Sequence, residues 1–564
     1  MKAHVDKLLA LGAAIVVLAA ANAFAWACDD AFITFRYAEQ LVAGNGLVFN
    51  PGEPVEGYSN FLWTLWCALG LVFGADVETF ANILSIIAMV ACTNLLWMLH
   101  VRFRATAPDS SPTVARATIP LACVALAFHR DVWVYATSGL ETALYTALVT
   151  GAFVALVHGP VTVRRAFGTG LLLGLAALTR PDAPLIALFC GLYVLWQADR
   201  PIAAGAAIIA GFAVLWLPHL LFRYSFYGEL VPNTAHAKSA GVAWWDQGLA
   251  YVWLFLQRYP LIALGPLLLV VRVARGRVDA ARSRPDLALA SAIGVFYFLY
   301  VARVGGDFMF ARFLVPVTPI LLWSLEGELD QLLPAVTLHR AAAAAIVVAA
   351  VLAIAPPVSG TEIVSGVADE WDFYHARPAA LGGQSPAELT ADMGRKLRPF
   401  FAGVPVKVLI IGSQARLAWH SKAHTVIEAN GLTDKHIARQ PIVKRGRPGH
   451  EKHPTFDYVV RKRGVHLAFS QAAMHLTRGR VPTLAVRFGD TQGLVLAWDN
   501  AVMAQLAERG ATVPDYLGML DATIARLPEL DLAARKRLWT MHNDFYFRHN
   551  DDPIRRAAFA PDRS

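Results

Sequence analysis

Two adjacent carboxylates, Asp29 and Asp30, stand where an apolar run from Leu8 to Ala27 ends. A hydroxyl nucleophile needs a base within hydrogen-bond reach. Neighbouring carboxylates raise one another's pKa, as a base working near neutral pH requires. One Asp is enough to cap a helix starting at Ala31, which leaves the second for chemistry. The pair also suits a divalent cation through oxygen, but no further ligand set stands out, so a metal stays undecided.

Further ionisable groups recur in short polar stretches between apolar runs. Arg36, Glu53 and Glu56 follow the acid pair, with Arg36 about two helical turns from Asp29. Glu141 lies in "SGLET", and Arg180 and Asp182 flank Pro181. His236 and Lys238 lie in "NTAHAKSA", and Arg303, Asp307 and Arg312 surround "GGD". Lys is a point-charge partner for phosphate, and paired arginines beside an acid can clamp a phosphate and sugar hydroxyls. Gly305 and Gly306 permit positive φ and close backbone approach. Each group also has a plainer reading. Glu141 can serve as a helix-start acid, Arg180 and Asp182 as a turn ion pair, and Arg303 and Arg312 as snorkelling side chains.

The elements that must hold these residues follow from composition. The chain has 564 residues, 56% hydrophobic and 16% charged, with a mean hydropathy of +0.45. Soluble chains of this size rarely read this way. Apolar runs continue to about residue 355 and composition is ordinary from 357. The expected fold is therefore a polytopic α-helical membrane domain over 1–356 and a soluble α/β or mixed domain over 357–564. The net charge of +8 does not point to nucleic acid, because the basic residues fall in short loops, as membrane topology produces. Five cysteines lie in the membrane half without CxxC spacing, so neither a disulfide framework nor a metal cluster is implied.

Lys2 and Lys7 place the start of the first helix inside and Asp29 outside. Phe61 to Phe73 is too short to span a core about 30 Å thick and reads as interfacial or re-entrant. Crossings are then expected near 8–27, 79–100, 117–134, 140–158, 166–179, 183–198, 203–222, 256–272, 286–302, 313–325 and 341–356. Eleven crossings put the C-terminal domain outside. The polar stretches gather on that same face, as a site would. A transporter would instead carry charge at the midplane and inverted repeats, and no repeat is visible.

"DDAFITFRYAEQLVAGNGLVFNPGEPVEGYSNFLW", "ATSGLET", "LTRPDAPL", "YGELVPNTAHAKS" and "GGDFMFARFLVPVTP" resemble the marks of bacterial GT-C membrane glycosyltransferases. The branch they resemble holds the mycobacterial terminal arabinofuranosyltransferases and the pilin arabinosyltransferases. The likeness covers most of residues 20–325 and resumes in "EANGLTDKHIARQPIVKRGRPGHEK", where Asp434 and His450 match the outer-domain motif. The resemblance implies a polyprenyl-phosphate-linked sugar donor and an extracytoplasmic glycan, lipoglycan or pilin acceptor. It also implies a bacterial inner-membrane enzyme with its site on the periplasmic side. An acid of the first outer loop is then the general base, and the family pattern favours Asp29. Arg36, His236, Lys238, Arg303 and Arg312 become donor-phosphate ligands, and Glu56, Glu141, Arg180, Asp182, Asp307, Asp434 and His450 substrate ligands. Hexose and aminoarabinose donors stay open beside arabinofuranose.

Overall fold

A computed structural model of the chain describes residues 2–105, 119–275, 282–332, 358, 362–378, 382–412 and 414–559. The chain divides into two compact units. The first holds Met1–Thr34, Ser59–Val231 and Ser239–Tyr374; the second holds Phe35–Tyr58, Pro232–Lys238 and His375–Ser564.

The first unit is helical. Val77–Phe103, Pro201–Tyr227 and Pro285–Val304 are long and apolar enough to cross a bilayer. Helix Val163–Thr179 packs on Pro201–Tyr227 through glycine. A Cβ on Gly170 would lie 2.2 Å from the Ile208 carbonyl oxygen, and one on Gly211 2.2 Å from that of Phe167. Small residues let the two backbones touch, the usual device where lipid removes any hydrophobic drive between helices.

Several expected crossings differ. Among the described residues three helices pass as spans, or four if the pair Trp245–Arg258 and Pro260–Ala274 counts as one, against eleven expected. The shortfall is one of length. Thr142–Val157 and Ala183–Gln197 have 16 and 15 residues, so they reach about 23–24 Å of a core about 30 Å thick, whereas Phe61–Val72, with 12, is as short as the sequence leads one to expect. The helix expected near 256–272 is broken near its start, with a bend of 105° between Trp245–Arg258 and Pro260–Ala274. There Pro260 has no N–H to donate and its ring clashes with the preceding turn. The helix expected near 117–134 is two short ones, Leu121–Ala127 and Arg130–Tyr135, broken at Phe128 and His129. The helix expected near 341–356 lies outside the described residues.

The second unit carries a five-stranded mixed sheet in the order Thr425–Glu428, Lys407–Ile410, Leu467–Ala468, Thr491–Val495, Ala485–Phe488. The first three strands are parallel and the last two pairings antiparallel. Val408, Leu409 and Ile410 are buried, as expected of the apolar run "VKVLIIGSQ". The Gln414 side chain closes the following turn by accepting from the Ile411 N–H at 3.1 Å.

Candidate active site

Three loops of the first unit meet at the acid pair. The Cys28 N–H donates to the Ser138 carbonyl at 2.7 Å, and the Trp26 indole to that of Val134 at 2.9 Å. The Trp63 indole donates to the Gly139 carbonyl at 2.9 Å. Cys28 Sγ lies 4.0 Å from Met309 Sδ. These contacts bring residues 26–30, the "SGLET" turn and the "GGDFMF" loop together.

The last loop is fixed on both sides. Gly305 and Gly306 take φ of 90° and 68°, the positive values their type allows. A Cβ on Gly306 would meet the Tyr251 ring at 2.5 Å. Tyr251 OH donates to the Met309 carbonyl at 3.1 Å and Tyr135 OH to that of Phe310 at 2.6 Å. Behind the loop, the Phe310 N–H donates to the Ala368 carbonyl and the Ala368 N–H to the Phe308 carbonyl, each at 2.9 Å.

The charges sit on this frame. Arg180 donates through Nε to Asp182 Oδ1 at 3.0 Å and through Nη1 to Glu141 Oε1 at 3.3 Å. The second oxygen of Glu141 accepts from Asn60 Nδ2 at 3.0 Å, and that of Asp182 accepts from Tyr297 OH. Arg312 Nε pairs with Asp307 Oδ2 at 2.5 Å. The Arg180 and Arg312 guanidiniums lie 4.7 and 5.3 Å from the centre of the Phe313 ring. All five ionised residues of these pairs are buried. Burial disfavours the charge on Arg312, but Asp307, then Glu141 and Asp30, outweigh it and hold its pKa above the ordinary arginine value. Asp30 therefore belongs to this electrostatic set. Asp29 is 5% exposed, whereas Asp30 is only half-buried. Arg312 Nε and Asp307 Oδ2 are held by charge and closeness, for neither makes a hydrogen bond of regular geometry among the described residues.

A second polar set in the same unit was not singled out from sequence. Arg130 pairs with Asp369 at 2.5 Å, Asp372 at 3.1 Å and Asp131 at 3.6 Å. Tyr259 OH donates to Asp131, and its ring stacks on His129 at 3.8 Å. Burial raises the Asp369 pKa against the pull of Arg130. Arg258 is 4% exposed, and none of its three side-chain nitrogens has an acceptor among the described residues. Arg303 is exposed at its helix end, where its carbonyl accepts from the Trp244 N–H at 2.8 Å.

The remaining candidates gather in the second unit. Arg36 is buried and donates to the carbonyls of Phe49, Ala423 and His424 at 2.8, 2.8 and 3.1 Å. Burial lowers its pKa to about 10. The Glu56 carbonyl accepts from the Asn233 N–H at 2.9 Å. Glu53 pairs with Arg463 at 2.5 Å. The Asn233 amide donates to the carbonyls of Gly431 and Leu432, both at 2.9 Å, and Lys452 Nζ to that of His236 at 2.6 Å. The motifs around 233–238 and 428–452 thus meet. Asp434 caps Lys435–Ala438, accepting from the His436 and Ile437 N–H groups at 2.9 and 3.0 Å and from Tyr458 OH at 2.6 Å. His450 Nδ1 lies 3.0 Å from the Pro448 carbonyl. Lys238 follows Ala237 at the helix end, its N–H donating to the Thr234 carbonyl at 2.9 Å.

Of the residues expected from sequence, Asp30, Glu141, Arg180, Asp182, Asp307 and Arg312 come together in the first unit. Arg36, Glu56, His236, Lys238, Asp434 and His450 lie in the second. Asn60, Tyr297, Arg130 and Asp369 escaped notice because single polar residues in apolar or loop sequence carry no spacing signal. Among the described residues no group of three or more His, Cys, Asp or Glu side chains could hold a metal ion.

No protein-family model matches the chain. It is 32% identical over 340 residues to a terminal beta-(1->2)-arabinofuranosyltransferase of Mycobacterium tuberculosis, covering 53% of each protein. It is 30% identical over 359 residues to the protein of that name in Corynebacterium glutamicum, covering 56% of this chain and 50% of the relative. The chain thus spans about half the length of the curated relatives it matches. A crystal structure of ArnT from Cupriavidus metallidurans bound to undecaprenyl phosphate superimposes with a TM-score of 0.57 at 14% identity, over 87% of this chain and 97% of the other. That likeness is one of fold alone.

Proposed function

We propose that this chain is a membrane glycosyltransferase that moves a sugar, D-arabinofuranose, from a polyprenyl-phosphate donor to an extracytoplasmic glycan, lipoglycan or pilin acceptor. Its membrane would be the bacterial inner membrane, with the site on the periplasmic face. The observation that carries the reading is the set around Arg312. Its buried guanidinium is paired with Asp307, and Glu141 and Asp30 act on it electrostatically. The named relatives add the sugar.

The general base is assigned to Asp30 rather than Asp29, because Asp30 is the more exposed of the two and a hydroxyl must reach it. The acceptor oxygen bonds to the anomeric carbon while its proton passes to Asp30. The anomeric carbon–oxygen bond to the donor phosphate breaks, and its electron pair stays on the phosphate. The terminal nitrogens of Arg312 take that growing charge as a planar fork. Asp30, Asp307, Glu141 and Asp182 outnumber Arg180 and Arg312, a balance suited to an oxocarbenium-like centre. The test is transfer from polyprenyl-phospho-arabinofuranose to an arabinan oligosaccharide by the full chain in detergent. Transfer that Asp30→Asn removes supports the reading. Transfer that survives Asp30→Asn and Asp29→Asn alike sinks the acid-pair mechanism. Turnover of only a hexose or aminoarabinose donor overturns the sugar.

A further inference from the structure

A cavity of the first unit, about 820 Å³, opens between helices Val77–Ala105, Thr142–Val157 and Val163–Thr179. Its walls are apolar: Leu95, Met98, Leu148, Val154 and Leu172 line it. Its mouth is cationic. Arg164, Arg165 and His158 line that end, and Arg102 Nε donates to the His158 carbonyl at 2.8 Å. No carboxylate lines the cavity, and among the described residues neither Arg164 nor Arg165 makes an ion pair. Arg165 Nη1 is buried without an acceptor, and so is the hydroxyl of the fully buried Thr169 inside the cavity. The Thr162 side chain caps the helix by accepting from the Arg165 N–H at 3.2 Å.

We infer that this cavity binds an anionic phospholipid, with its phosphodiester at Arg164 and Arg165 and an acyl chain along the apolar wall. Charge complementarity selects the headgroup: a zwitterion offers the same phosphodiester, but its ammonium is repelled by the arginines and finds no carboxylate in the lining. The apolar wall selects a ligand with a hydrocarbon part, which a free phosphate lacks. This site is not the one at Arg180. Helix Val163–Thr179 has 17 residues, so the two lie about 25 Å apart along it.

The experiment is native mass spectrometry of the full chain in detergent, titrated with dioleoyl-phosphatidylglycerol or dioleoyl-phosphatidylcholine. Retention of the glycerol lipid should exceed that of the choline lipid by about tenfold or more, the effect of net headgroup charge at about 1 kcal/mol per arginine. Arg164→Gln/Arg165→Gln should erase that preference. Arg200→Gln/Arg275→Gln, which removes two exposed cations elsewhere, should leave it intact. Gly151→Leu is the second arm. A Cβ at Gly151 meets Leu95 and Leu172 only at 3.8 and 3.9 Å, so the larger side chain enters the cavity without a backbone clash. It should weaken retention of the dioleoyl lipid while melting as the parent does. Equal retention of both lipids overturns the site, as does a preference that survives the arginine double variant. Displacement of the lipid by millimolar inorganic phosphate, or stronger retention of undecaprenyl phosphate than of phosphatidylglycerol, overturns the choice of ligand.

Discussion

The two ends of helix Val163–Thr179 solve the problem of arginine in a membrane protein in opposite ways. At its C-terminal end Arg180 is 7% exposed and donates to both Glu141 and Asp182. At its N-terminal end Arg164 is exposed and Arg165 half-buried, beside no carboxylate. The difference follows from desolvation. A buried guanidinium must bring its counter-charges with it, whereas one at a mouth open to lipid or water can wait for an anion. Committed charges hold the fold and position a site; uncommitted ones are where a ligand adds energy.

That contrast is broken most directly through stability. Arg180→Ala leaves Glu141 and Asp182 buried without their cation, so the first unit should lose about 3–5 kcal/mol. Arg164→Ala should stay within about 0.5 kcal/mol, as surface changes do. Thermal melting in detergent measures both, and equal losses would end the distinction. Arg180→Lys should recover little, because one ammonium cannot span both acids.

Next in size is the base. Asp30→Asn preserves shape and should cost at least about a hundredfold in transfer rate with an unchanged melting point. Asp29→Asn should cost less, because that side chain is the more enclosed. The reverse order would return the base to Asp29. The arginine double variant at the lipid cavity should leave transfer in detergent unchanged, which separates the two ends functionally.

Arg312 stands between the two kinds of charge, paired through Nε with Asp307 and acted on by Glu141 and Asp30. Arg312→Ala should slow transfer about ten- to hundredfold, the range of one charge-assisted contact. Arg303→Ala, at an exposed helix end, and Lys238→Ala should cost less. Initial rates against donor concentration decide. If Lys238→Ala or Arg303→Ala costs more than Arg312→Ala, the donor phosphate binds elsewhere.

Much of this frame was legible in sequence where local physics dominates. Apolar runs located Ala183–Gln197 and Pro285–Val304 to within a few residues, and Gly305–Gly306 announced its positive φ. The breaks at His129 and Pro260 were missed because hydropathy averages over them. The polar character of "HRD" and the ring of Pro260 were the local signals that could have marked them. The pairing of Arg130 with Asp369 spans 239 positions and has no sequence signature; topology alone creates it. Types and loops revealed Glu141, Arg180, Asp307 and Arg312, but not which partners would commit them. Arg36 shows the limit: a cation that reads as a phosphate ligand is taken up by three backbone carbonyls.

Asp434 extends the test to an acid that matches the family motif yet is committed within its own unit. One oxygen caps Lys435–Ala438 and the other accepts from Tyr458 OH. Removing both functions in Asp434→Ala should cost about 1–2 kcal/mol, the worth of a cap with a neighbouring hydrogen bond. Asp434→Asn keeps the cap, since Asn caps about as well as Asp, and should lose less than half of that. Tyr458→Phe isolates the second bond at about 1 kcal/mol. A double-mutant cycle between Asp434→Asn and Tyr458→Phe then yields their coupling, expected at 0.5 kcal/mol or more for residues in contact. If Asp434→Asn instead lowers transfer at unchanged stability, the carboxylate itself meets a ligand. Asp434 would then move from the committed charges to the uncommitted ones.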